Sequence, residues 1–260
     1  LKKNFLAAAA VFLAVSFPAH PQGTLSEYAF LHPSEYQQAL DYSDEISTLL
    51  EKRRETLSEG EPDYDSDFVS AVVFPEMMRY SQFSDAIEAK IDQLLHSFSR
   101  QLNTCSIGPM QMKPVFAVET EKAIHADPEL AERFSKIDFS GDDTTWNQRM
   151  ERIKRLRTLD SQLDYLLAFI EICRKKWNLG GKPLEYQLLI TATAYNWGTS
   201  RSIEELERLS RTPSFPKGSG SSKSHWAYAS LATDFYRQKQ MNSGVRAEDR
   251  IPVITKEMQK

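Results

Sequence analysis

The chain predicts a mainly α fold, and three observations carry that expectation. Apolar residues recur at the three-to-four-residue spacing of an amphipathic helix in window after window. No stretch alternates as a half-buried strand does, and the short run Val72-Val73-Phe74 sits inside a helical pattern. Breakers separate the periodic segments, the strongest being Gly180-Gly181-Lys182-Pro183.

The N-terminus stands apart from the rest. Lys2 and Lys3 precede an apolar run from Phe5 to Phe17, and Pro18, Ala19, Pro21 and Gly23 follow. A basic start and an apolar run too short to span a bilayer read as a secretory signal peptide over residues 1–22. No clean A-x-A triplet follows, so an uncleaved anchor is the alternative. No Cys stands directly after the apolar run, which argues against a lipoprotein anchor. No second apolar run is long enough to span a membrane, so no integral membrane segment is expected once the signal is removed. The remainder, roughly 240 residues, is ample for a substantial core.

The helical pattern then predicts helices over 34–57, 67–80, 84–102, 114–125, 128–137, 146–156, 160–178, 184–195, 202–209 and 225–239. Caps are expected at Ser34, at Ser66 or Asp67, and at Asp160. The stretch 59–67 is acidic, with one Pro and one Gly, and reads as a linker. It divides an N-terminal helical segment, 23–66, from a main domain, 67–240. Residues 213–223, rich in Ser and Gly, read as a flexible loop, either a plain surface linker or the border of a cleft. From 241 to 260 the chain is a polar tail.

Charge and cysteine content narrow the functional classes. Net charge is −4 with acids and bases interspersed, and no basic stripe points to nucleic acid. Neither C-x-x-C nor H-E-x-x-H occurs and the five histidines are scattered, so no metal site and no cofactor is expected. Cys105 and Cys173 read equally as one disulfide or as two buried thiols.

Three short segments carry the candidate chemistry. In the helix from Asp67, residues Val69, Val72, Val73, Glu76 and Tyr80 share one stripe, which puts a carboxylate on the core-facing side. Burial raises a carboxyl pKa, as a general acid near neutral pH requires. The plain alternative is that Glu76 pairs with Arg79 and ties the core together. In Ser106-Ile107-Gly108-Pro109-Met110-Gln111-Met112-Lys113-Pro114, Gly and Pro impose a turn. The alternation after it suits a short extended segment that buries Met110 and Met112 and presents Gln111. An exposed backbone edge with an amide suits hydrogen bonding to sugar hydroxyls and acetamido groups; an ordinary loop is the alternative. The third segment, Tyr195-Asn196-Trp197-Gly198, ends an apolar helix, with Gly198 as terminator.

Taken together, the three segments resemble the lysozyme-like lytic transglycosylases, which share their fold with goose-type lysozyme. That family has a catalytic Glu on a helix, then S-x-G-x-M-Q-[IM]-x-P, then A-Y-N-x-G. Here Glu76, Ser106 to Pro114 and Ala194 to Gly198 follow in that order. Tyr228 matches the aromatic residue of a final helix. Two departures stand out: Met77 follows Glu76 where the family has Ser, and the gap between Glu76 and Ser106 is longer.

The resemblance implies a lysozyme-like helical domain with an additional N-terminal helix. It implies a peptidoglycan lytic transglycosylase in the periplasm or cell envelope, acting on glycan strands with Glu76 as general acid and base. Gln111, Tyr195 and Asn196 would orient the substrate acetamido group and Glu76. Backbone groups from Ser106 through Gly108 to Met110 would hold the neighbouring sugar, with Tyr228 completing the site. The rivals are a hydrolytic muramidase, for which Asp138, Asp142 or Asp143 would position water, a non-catalytic peptidoglycan-binding protein, and an exported bundle unrelated to the wall.

Overall fold

The computed structural model describes residues 23–55, 63–96, 105–139, 145–242 and 244, with the side chains of 82–96 excepted. Within them the chain forms ten helices and one two-stranded sheet, so the fold is mainly α. The helices are α1 (Leu25–Leu31), α2 (Pro33–Arg54), α3 (Ser66–His96), α4 (Pro114–His125), α5 (Pro128–Arg133), α6 (Trp146–Leu156), α7 (Leu159–Lys176), α8 (Leu184–Trp197), α9 (Ile203–Leu209) and α10 (Tyr228–Asn242). The strands are β1 (Pro213–Phe215) and β2 (Trp226–Ala227). The signal-peptide span 1–22, linker residues 56–62, the end of the helix expected over 84–102, Asp142, Asp143 and residues 245–260 lie outside the described residues.

Helix α3 organises the molecule. The two helices expected over 67–80 and 84–102 are continuous here, because Ser81-Gln82-Phe83 contains no breaker. Ser81 Oγ donates to the Met77 carbonyl at 2.8 Å, a bond that leaves the helical backbone in place. Every residue from Phe68 to Met78 is buried. A helix apolar nearly all round belongs at the centre of a core rather than on its flank. Helix α2 packs on it through Ala39, Ser43, Ile46 and Leu50, and α10 through Phe235, whose ring stacks on Phe74 at 3.8 Å. Leu25, Tyr28 and Ile46 from the N-terminal helices share one buried cluster with Phe74, Leu166 and Phe235.

Three expected caps are displaced by a residue or two. Pro33 opens α2, where a missing N–H costs nothing, so Ser34 lies inside the helix. Asp65, not Ser66 or Asp67, accepts the N–H groups of Asp67 and Phe68 at 3.0 and 3.4 Å. Thr158 caps α7, which leaves Asp160 in its first turn, bonded to Arg53 at 2.7 Å. Helix α1 and the sheet are additions to the sequence expectation. Thr24 caps α1, and α1 buries Leu25 and Tyr28.

The stretch read as a flexible loop is a closed hairpin. β1 and β2 pair antiparallel, Phe215 opposite Trp226, both buried. The connecting loop is closed by Gly218 N–H donating to the Ser214 carbonyl (2.7 Å), Lys217 N–H to Ser224 Oγ (3.1 Å) and Ser224 Oγ to the Gly218 carbonyl (2.8 Å). The two cysteines are free thiols; burial pushes that of Cys173 well above its ordinary value. Among the described residues no helix is long and apolar enough to cross a membrane.

Candidate active site

Glu76 sits one residue past Pro75, in the middle of α3, and is 5 % exposed. Its stripe does face the core, and so do the other residues from Phe68 to Met78. Met77, the residue standing where the resembling family has Ser, is fully buried and apolar and offers the carboxylate nothing. The partner is Arg79, one turn on. Arg79 Nη1 donates to both Glu76 oxygens, at 2.9 and 2.7 Å. Burial is the largest influence and raises the Glu76 pKa above its ordinary value; the charges of Arg79 and Lys113 and the Arg79 hydrogen bond oppose it. The pairing and the raised pKa therefore coexist, with desolvation ahead.

The second segment closes into a tight loop rather than extending. Ile107 and Met112 pair as an antiparallel bridge, N–H to carbonyl at 2.9 and 3.1 Å, and Gln111 N–H reaches the Gly108 carbonyl at 2.9 Å. Met110 and Met112 are buried as expected. Gln111 is not presented to solvent: it is 8 % exposed, has φ of +53°, and its Nε2 donates back to the Gly108 carbonyl at 2.9 Å. The backbone edge expected for ligand binding is thus spent within the loop. Ser106 makes no hydrogen bond among the described residues.

The residue that holds this loop went unnoticed in the sequence. Gln162 of α7 is fully buried; its Nε2 donates to the carbonyls of Ile107 (2.6 Å) and Leu156 (2.8 Å), and its Oε1 accepts the Met110 N–H (3.0 Å). The signal was present: Gln162 shares the apolar stripe of Leu159, Leu163, Leu166 and Ile170, as Glu76 does in α3. Gln162 also explains Gly108, whose φ is +63° and whose missing Cβ would lie 2.5 Å from Gln162 Nε2 and 3.0 Å from the Leu156 carbonyl. Gly108→Ala should therefore destabilise the protein by about 2–4 kcal/mol, adding left-handed strain to disrupted buried hydrogen bonds. Urea denaturation measures it; a loss below ~1 kcal/mol would mean the loop yields freely.

The third segment joins the second. Tyr195 Oη donates to the Met110 carbonyl at 2.7 Å, across 85 residues of sequence. Phe116 and Phe169 fix its ring, with centroids at 5.3 and 5.5 Å. Tyr228, at the start of α10, donates to the Val72 carbonyl at 3.1 Å, one turn before Glu76. Both hydroxyls are pushed well above their ordinary values, by burial first and by the Glu76 charge second. Both remain protonated donors, aimed at backbone carbonyls rather than at Glu76. Gly198 ends α8 with φ of +89°, and Asn196 Nδ2 donates to Ser214 Oγ of the hairpin at 3.0 Å. Next along β1, the Phe215 ring lies 5.2 Å beneath the Arg79 guanidinium.

The structure thus gathers Glu76, Arg79, the Met110 carbonyl, Tyr195 and Tyr228 into one neighbourhood, with Lys113 close enough to act on Glu76 electrostatically. Gln111 braces its own loop, Asn196 ties the end of α8 to the hairpin, and Ser106 stands at the loop's entry. Arg79 entered the sequence reading only as a salt-bridge partner; Lys113, Gln162, Ser214 and Phe215 did not enter it as site residues. Asp138 is held by His125 at 3.2 Å. Among the described residues no group of three His, Cys, Asp or Glu side chains is placed to hold a metal. The arrangement can deliver a proton from a buried carboxyl whose neighbours are cations and neutral phenols. No protein-family profile, curated protein or solved structure matches the chain.

Proposed function

We propose that this chain is an exported peptidoglycan lytic transglycosylase of lysozyme-like type, with Glu76 as its general acid and base. The observation that carries the reading is the meeting of the three motif segments around one buried carboxyl. The Tyr195–Met110 bond ties the third to the second, and the charge of Glu76 is felt at Tyr195 and Tyr228.

In this mechanism Glu76 gives its proton to the glycosidic oxygen between N-acetylmuramic acid and N-acetylglucosamine. The C1–O4 bond breaks and the N-acetylglucosamine side leaves with a free 4-hydroxyl. The substrate's acetamido group, or a developing oxocarbenium ion, carries the positive charge. The Glu76 carboxylate then takes the proton of the C6 hydroxyl as O6 closes on C1. The product is a 1,6-anhydro sugar, Glu76 ends protonated as it began, and no water is consumed. Burial favours the protonated starting form; Tyr228 holds the backbone one turn before Glu76, and Tyr195 holds the Met110 carbonyl of the loop.

Mass spectrometry of products from purified sacculi tests the reading, with 1,6-anhydro ends as the expected result. Reducing ends would replace it with a hydrolytic muramidase. The Arg79 contact favours a further reading, a non-catalytic peptidoglycan-binding protein in which Glu76 is a structural ion. Sedimentation with sacculi and no released fragment would establish that one instead.

A further inference from the structure

The Arg79 side chain is used incompletely. Its Nη1 serves both oxygens of Glu76, while its Nε is buried and has no hydrogen-bond partner. A buried N–H without an acceptor is unusual in a folded protein. The side chain is nonetheless 24 % exposed, so its outer part reaches the surface, and the Phe215 ring gives the guanidinium a flat apolar seat at 5.2 Å. No other described group hydrogen-bonds the Glu76 carboxylate. From α8 and α10, Tyr195 and Tyr228 spend their hydroxyls on carbonyls; from the start of α4, Lys113 acts through its charge alone. With both oxygens on one cation, Arg79 favours the ionised form of Glu76 and works against the burial that favours the proton. A general acid must hold a proton instead.

We propose that Arg79 is a positioning residue for Glu76: it clamps the carboxylate before substrate binds, then passes its donors to an acceptor oxygen on the bound glycan and frees Glu76 to carry its proton. The inference rests on the lytic reading of Glu76. The acceptor is a carbonyl or carboxylate oxygen of the glycan, the chemistry a guanidinium fork recognises. In sequence terms, Arg79 does what Met77 cannot.

The test uses Arg79→Met and Arg79→Lys in the full chain, with Arg79→Gln as a second neutral variant should Met impair folding. Two readouts are needed. The first is the titration of the Glu76 side chain by carbon NMR, assigned by its absence in Glu76→Gln, which requires no activity. The second is the pH–rate profile and apparent KM of sacculus lysis. With the cation removed, the Glu76 titration and the alkaline limb of activity should move together to higher pH. Each unit of movement is about a tenfold gain in the acid form on that limb. The apparent KM should rise, because the glycan loses its donor. Arg79→Lys should keep the wild-type titration and recover only part of the KM. An unmoved titration in the neutral variants overturns the clamp. A moved titration with unchanged KM overturns the transfer to substrate. A moved titration in a protein that lyses nothing leaves the clamp standing and removes the lytic reading.

Discussion

Glu76→Gln is expected to lower lysis of purified sacculi by ~10²–10⁴-fold, the usual weight of a general acid, while the protein stays folded. Gln fills the same space and keeps a hydrogen-bonding oxygen for Arg79. The same variant should be more stable than wild type above neutral pH. The sign follows from the raised pKa. A carboxyl whose native pKa lies above its unfolded value contributes stability that is whole below the unfolded pKa and is lost as pH rises through the native one. Here burial raises the value and outweighs Arg79 and Lys113. Gln mimics the protonated form at every pH and escapes that loss. Melting temperatures of the two proteins should coincide near pH 4 and separate in favour of Gln as pH rises. In a domain of this size each kcal/mol is about 2–4 °C. Unchanged lysis would remove Glu76 from the chemistry. A melting-temperature gap of opposite sign would mean that pairing with Arg79 outweighs burial, and that Glu76 is a structural ion.

The second large effect is on stability and lies away from the site. Arg152 of α6 is 3 % exposed and donates to Glu121 of α4 through Nε, at 2.9 and 3.2 Å, and through Nη2, at 2.6 Å. Tyr165 of α7 donates its hydroxyl to the same carboxylate, and burial with the Glu121 charge pushes that hydroxyl up. Three helices thus meet on one buried ion. Removing one partner strands the other in a medium that cannot solvate it. Arg152→Leu should therefore cost about 3–5 kcal/mol, read from urea unfolding midpoints. Replacing both, as Glu121→Leu with Arg152→Leu, should cost less than either single change, because no charge is then left unpaired. A single-variant cost below ~1 kcal/mol would mean that water reaches the pair.

Both effects concern polar groups on apolar stripes, and they mark how far the sequence could be read. The stripe of α3 located Glu76, and the alternative that it pairs with Arg79 was visible because the two lie one helical turn apart. The choice between an acid raised by burial and an ion held by a partner was not visible. It depends on how completely α2, α8 and α10 cover α3, and the outcome is both at once. Glu121 and Arg152 lie 31 residues apart, and nothing in the spacing of either helix links them. The motif residues Gly108, Met110, Gln111, Tyr195 and Asn196 were legible as a set. Their individual tasks were not, since most of their polar atoms turn inward to brace backbone.

What the sequence determined by itself was local. The helical period, the breakers at Gly180 to Pro183, the terminator Gly198 and the spans of α4 and α6 follow from interactions that close within a few residues. Strands of two and three residues, β1 and β2, are too short to show a period, and only the burial of Phe215 and Trp226 makes them a hairpin. The tertiary structure decided what no local pattern encodes: that Gln162 fills the space Gly108 leaves open, that Tyr195 reaches the Met110 carbonyl, and that Phe215 lies beneath Arg79. The first two satisfy buried polar groups with partners distant in the chain, and the third seats a cation on a distant ring. A buried polar atom costs free energy until its partner is brought to it, and packing, not periodicity, brings the partner.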